Sequence, residues 1–144
     1  MIIYDGSCEV HDILNMESII KLKNIHKDAK LIAHPECKAI ILEIADFVGS
    51  TTALLDFTKK DNSQKYIIAT ETGIIHQMKK ESPQKEFIIV STKENCLCND
   101  CSYMKLNTLQ KLYVCIKYEL PEIILNKEII DKARIPILKM LNIK

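Results

Sequence analysis

The chain reads as α/β, a three-layer αβα arrangement around a short parallel sheet. Three observations predict it. Short apolar runs alternate with stretches of helical spacing along nearly the whole length, the signature of parallel βαβ units. The apolar runs lack a period of two, as strands buried on both faces do. And the residues able to do chemistry fall just after the predicted strands, where open α/β sheets bind ligands. With 144 residues, 47% of them hydrophobic and 27% charged, the chain has enough material for one ordinary core.

In order, Ile2-Ile3-Tyr4 predicts a strand stopped by Asp5-Gly6, with Cys8 and His11 in the turn that follows. Asn15 is a helix cap with Glu17 in the favourable first turn, and the helix runs to about His26. Lys30-Leu31-Ile32-Ala33 is the next strand. His34 follows, then Pro35 at a good first helical position, with Cys37, Ile40, Ile41 and Ile44 at helical spacing. Phe47-Val48 is a very short strand, and Gly49-Ser50-Thr51-Thr52 opens a helix to about Lys60. Tyr66-Ile67-Ile68-Ala69 is a strand, and Thr70-Glu71-Thr72-Gly73 opens a helix to about Lys80, broken by Ser82-Pro83. Phe87-Ile88-Ile89-Val90 is the last strand. Leu106, Leu109, Leu112, Tyr113 and Ile116 mark an amphipathic helix ended by Pro121. A final helix spans about Lys127 to Leu141, and Pro136 inside it predicts a kink or break.

Net charge is +1, and lysines are interleaved with acids, so nothing suggests a grip on nucleic acid or on an anionic membrane. No apolar run approaches the roughly 20 residues of a bilayer span, and the first residues do not read as a signal peptide. A cytoplasmic, reducing setting is expected. There, crowded cysteines hold metals or clusters more readily than disulfides. Three of the six cysteines, Cys96, Cys98 and Cys101, fall within six residues. Cys37 and Cys115 sit at positions expected to lie on helix faces and pack there, and His26 and His76 read as surface residues.

The post-strand residues Cys8, His11, His34, Glu36, Ser50, Thr51, Thr70, Glu71 and the cysteine loop should therefore share one edge of the sheet. Helix N-termini there favour anions. Each residue alone has a plainer reading: Ser50-Thr51 as a cap, His34 as a half-buried histidine, Glu36 as a complement to a helix dipole. Their common position is what favours function.

In order and spacing, Cys8-x-x-His11, Ala33-His34-Pro35-Glu36-Cys37, Ala45-Asp46-Phe47-Val48-Gly49-Ser50-Thr51, Ala69-Thr70-Glu71-Thr72-Gly73-Ile74 and Cys101-x-x-Met104-Lys105-x-Asn107-Thr108-Leu109 resemble the quinolinate synthase A family. The resemblance covers essentially the whole chain. It implies condensation of iminoaspartate with dihydroxyacetone phosphate to quinolinate, the precursor of NAD, with a [4Fe-4S] cluster held by three cysteines. It implies Cys8 and Cys101 as cluster ligands, and His11, His34 and Glu36 as catalytic residues. His34, Pro35, Glu36 and Thr51 would bind substrate. Cys96 and Cys98 resemble extra cysteines of some family members.

The family has three similar α/β domains in a pseudo-symmetric fold around the cluster. Against it, residues 1–12 correspond to a remnant of the second domain carrying a cluster cysteine, and residues 13–144 to the third domain with its C-terminal helices. The first domain and the first cluster cysteine have no counterpart, so this is expected to be a C-terminal portion, inactive alone and completed by a separate N-terminal chain. A second reading makes Cys8, Cys96, Cys98 and Cys101 a thiolate zinc site in a non-catalytic binding module.

Overall fold

The computed structural model describes residues 6–91 and 99–143. The strand expected at Ile2-Ile3-Tyr4, and Cys96 and Cys98, lie outside the described residues. The chain divides into two units, residues 1–106 and 107–144.

The first unit holds a four-stranded sheet: β1 (Lys30–Ala33), β2 (Phe47–Val48), β3 (Lys65–Ala69) and β4 (Glu86–Ile89). All pairings are parallel and the spatial order is β2-β1-β3-β4. Its helices are α1 (Glu9–Asp12), α2 (Met16–Ile25), α3 (Ala39–Glu43), α4 (Thr51–Lys60) and α5 (Ile74–Glu81).

The three layers follow from the alternation of side chains along each strand. Leu31, Ala33, Ile67 and Ala69 face one way and form a core with Leu14, Ile19 of α2 and Ile41 of α3. Ile32, Tyr66 and Ile68 face the other way and pack on Leu54 of α4 and on Ile75 and Met78 of α5. Because both faces are covered, no polar alternation is needed, and the strands read as continuous apolar runs. Each fully buried Leu or Ile here contributes about 1.5–3 kcal/mol of transfer free energy.

Side-chain caps fix where helices start. Asn15 Oδ1 accepts from the amides of Glu17 and Ser18 at 2.8 and 3.2 Å, and Ser50 Oγ accepts from Ala53 N at 3.3 Å. Gly49 is required by space: a Cβ there would meet Ala53 Cβ at 2.9 Å and the Phe47 ring at 3.0 Å.

The amino ends of the strands are tied by charge. Tyr66, fully buried, donates to Asp61 Oδ2 at 2.9 Å, and Lys30 pairs with the same carboxylate. These partners, Lys30 foremost, hold the Asp61 carboxyl well below the usual range. The buried Lys85 ammonium is satisfied by the carbonyls of Thr58 and Asp61.

Two expectations change in this unit. Pro35 does not start a helix. The amide of Cys37 returns to the His34 carbonyl at 3.0 Å and that of Glu36 to His34 Nδ1 at 3.3 Å, which closes a turn. Lys38 is then extended and the helix starts only at Ala39. Cys37 therefore packs, as expected, but from a turn, with Sγ donating to the Ala69 carbonyl at 3.3 Å. Conversely, Cys8 and His11 lie at a one-turn helix, α1, rather than an open turn.

The second unit comprises α6 (Leu109–Tyr118), capped by Thr108, and α7 (Lys127–Leu141), capped by Asn126. The α7 helix runs through Pro136 without a break: the missing amide removes one bond of its ladder, and the helical turns on both sides continue. No described residue of this unit is buried, and Cys115 is exposed rather than packed.

Candidate active site

The sheet has a switch point. From β1 the chain leaves through α3, whose Ile41 packs on one face; from β3 it leaves through α5, whose Ile75 and Met78 pack on the other. The loops after these adjacent strands thus part to opposite sides, which opens a crevice at their carboxyl ends. His34 follows β1 there and Thr70 follows β3. The two ends are stitched together by the His34 amide, which donates to the Ala69 carbonyl at 3.1 Å.

Into this crevice comes α1. His11 is 6% exposed and its Nε2 lies 3.0 Å from Thr70 Oγ1, a contact across 59 positions of sequence. Its ring stacks on that of His34 with centroids 4.5 Å apart and an interplanar angle of 16°. Glu36 reaches both: its Oε2 is 3.3 Å from His11 Nδ1 and 3.7 Å from His34 Nδ1. The first pair is close enough to attract, yet His11 Nδ1 has no hydrogen-bond partner among the described residues. Cys8, at the start of α1, completes the group. One ligand atom from each of Cys8, His11 and Glu36 lies within 4.8 Å of the others.

Burial lowers the His11 pKa, the neighbouring His34 ring lowers it further, and Glu36 and Glu71 oppose both. The imidazole is accordingly kept neutral near pH 7. Cys37 lies close to Cys8, but burial pushes its thiol up to about 11. It stays protonated and bonded to Ala69, so it is poorly suited as a ligand.

The Cys101 segment is anchored on the same strand end. Asn99, 1% exposed, donates from Nδ2 to the Thr70 carbonyl at 2.9 Å, and its own carbonyl accepts from Thr72 N at 3.2 Å. Thr72 Oγ1 bonds Asp100. Cys101 is two residues on from Asn99, which bounds their Cα separation at about 7 Å. Thr70 thus carries α1 on its hydroxyl and the Cys101 segment on its carbonyl.

Of the residues expected at the site, Cys8, His11, His34 and Glu36 stand together. Pro35 is in the turn between His34 and Glu36 and is exposed. Thr51 opens α4 at the carboxyl end of β2, with an exposed side chain. Two residues have roles that their sequence positions did not convey. Thr70 orients His11, and Asn99, fully buried with Oδ1 unpartnered among the described residues, seats the cysteine segment. The signal for Thr70 was its place after a strand; for Asn99, only its place inside the cysteine run.

The donor set fits an iron–sulfur group in part. Cys8 and Cys101 are half-buried thiols held from two directions on Thr70, and thiolates are what such clusters require. Among the described residues near them, no third thiol is free to ligate.

Comparison with known proteins finds one family throughout. The family described as quinolinate synthetase A protein matches residues 1–142. The chain is 49% identical over 141 residues to the quinolinate synthase of Microcystis aeruginosa, covering 98% of this chain and 44% of that protein. It is 48% identical over 142 residues to that of Prochlorococcus marinus and 44% identical over 144 residues to that of Chloroherpeton thalassium. These matches cover 99% of this chain and 43% and 45% of those proteins, so the chain spans less than half the length of the relatives it matches.

Proposed function

The chain belongs to the quinolinate synthetase A family, as a C-terminal portion of it, and from that membership we propose that it supplies one share of a quinolinate synthase active site. The reaction is condensation of iminoaspartate with dihydroxyacetone phosphate to quinolinate in NAD biosynthesis, in the cytoplasm. The observation that carries this reading is the gathering of Cys8, His11, His34 and Glu36 at the β1/β3 crevice.

Cys8 and Cys101 are the residues of this chain that would hold a [4Fe-4S] cluster. When bound, such a cluster supplies an open iron that polarises a leaving hydroxyl as a Lewis acid. The chain's own groups move protons. Glu36, with its side chain 57% exposed, reaches the crevice from a carboxylate braced between two imidazoles, so it takes a proton from substrate at Oε2. His34 accepts the Glu36 amide at Nδ1, which leaves Nε2 as the protonated nitrogen and a donor to a substrate oxygen. His11, neutral and pinned by Thr70, positions both. Thr51, at the N-terminus of α4, suits a carboxylate or phosphate.

A separate N-terminal chain would complete the site and supply the third cluster cysteine. Among the described residues, no helix is long and apolar enough to cross a membrane.

The test is co-expression with the N-terminal part of one of the relatives, followed by an anaerobic quinolinate assay. Activity is expected only from the pair. Full activity from this chain alone, or a pair unaffected by Glu36→Gln, overturns the reading.

A further inference from the structure

We propose that Cys8, His11 and Glu36 form a site for a single divalent first-row metal ion, best matched by Zn2+, that fills without Cys101 or any iron–sulfur group. The geometry is already close to coordination. Ligand atoms about 2.0–2.1 Å from a tetrahedral ion stand about 3.3–3.4 Å apart. His11 Nδ1 and Glu36 Oε2 are 3.3 Å apart. The three candidate ligand atoms all lie within 4.8 Å, so rotation of the half-buried Cys8 side chain closes the set.

Burial supplies the second argument. His11 is more than nine-tenths buried, and its Nδ1 is aimed into this group with no hydrogen-bond partner among the described residues. An orphaned buried nitrogen is costly unless something occupies it. The opposite nitrogen is placed as in a metal-bound histidine. When Nε2–H donates to Thr70 Oγ1, Nδ1 carries the lone pair, and a ligating imidazole ordinarily hands its other N–H to a neighbouring oxygen.

The chemistry of the donors selects the ion. One thiolate, one imidazole and one carboxylate suit Zn2+, and the two negative charges balance its two positive ones. Binding expels the Cys8 thiol proton to solvent, so one proton is released per ion. The exposed side of Glu36 leaves the fourth position open to water. Where Cys8 also serves the cluster of the proposed function, the two occupants exclude each other.

The test uses the chelator-treated chain, titrated anaerobically with Co2+ as a coloured probe and then with Zn2+. One equivalent of Co2+ is expected to give tetrahedral bands and a thiolate charge-transfer band, both removed by Zn2+. Cys8→Ser abolishes the charge-transfer band. Thr70→Val weakens binding about 10–100-fold. Glu36→Gln, at an exposed position that leaves the fold intact, weakens it at least about tenfold and carries the test if Cys8→Ser fails to fold. Cys101→Ser leaves binding unchanged. Loss of binding in Cys101→Ser assigns the ion to the cysteine loop and overturns the proposal. So does undiminished binding in Glu36→Gln, or a chain that forms no thiolate band at all. None of these outcomes bears on the quinolinate assay, which needs Cys101 and a second chain.

Discussion

Replacing Thr70 by Val isolates the contact that orients the site. The residue is 1% exposed, and valine keeps its shape while deleting the hydroxyl. That hydroxyl is the partner of His11 Nε2 at 3.0 Å, and His11 Nδ1 already has none among the described residues. The substitution therefore strands both nitrogens of a buried ring. A buried polar group left unpaired costs about 1–3 kcal/mol, which for a chain of this size lowers Tm by roughly 3–10 °C. The anchor of the Cys101 segment survives, because Asn99 bonds the Thr70 carbonyl and not its hydroxyl. Urea unfolding of the single variants Thr70→Val and His11→Phe and of the double variant measures the coupling. The expected coupling is about 1–3 kcal/mol, because without the imidazole nothing remains to strand. A Thr70→Val cost that is the same in both backgrounds, to within about 0.5 kcal/mol, refutes the contact.

Other outcomes follow from the same geometry. His11 has a folded-state pKa below its ordinary 6.5, through burial first and His34 second. As pH falls, the unfolded chain takes up the proton first; stability is full above about pH 6.5 and declines from there toward the lower folded value. Urea midpoints across that window, and a shallower decline in His34→Gln, check the sign. In the native chain iodoacetamide is expected to label the exposed Cys115 readily and Cys37 only after unfolding, since burial holds the Cys37 thiol at about 11; equal labelling of the two by mass spectrometry contradicts this. Gly49→Ala places a Cβ against Ala53 and the Phe47 ring and is expected to cost about 1–3 kcal/mol in thermal unfolding.

The sheet was legible because its strands obey one rule throughout. Buried on both faces, residues 31–33 and 66–69 read as unbroken apolar runs, and the caps Asn15 and Ser50 mark helix starts by chemistry local to them. Pro35 misled because its fixed backbone angle suits a helix start and a tight turn alike, and only the return of the Glu36 and Cys37 amides to His34 decides between them. The single turn of α1 is too short to show a period. The pairing of His11 with Thr70, and of Asn99 with the same residue, depends on sheet order, which local pattern does not encode. The residue types at the site were legible from their places after strands; which of them touch was not.

The proposed cluster site rests on Cys8 and Cys101 being brought together by the two anchors on Thr70. A short thiol–thiol cross-linker that fluoresces only when both its arms react measures this directly, in a chain carrying Cys96→Ser, Cys98→Ser and Cys115→Ser, where Cys37 is shielded by burial. Strong fluorescence that disappears on further Cys8→Ser or Cys101→Ser is the predicted result. A chain in which both thiols react singly and no bridge forms places them apart and contradicts the account.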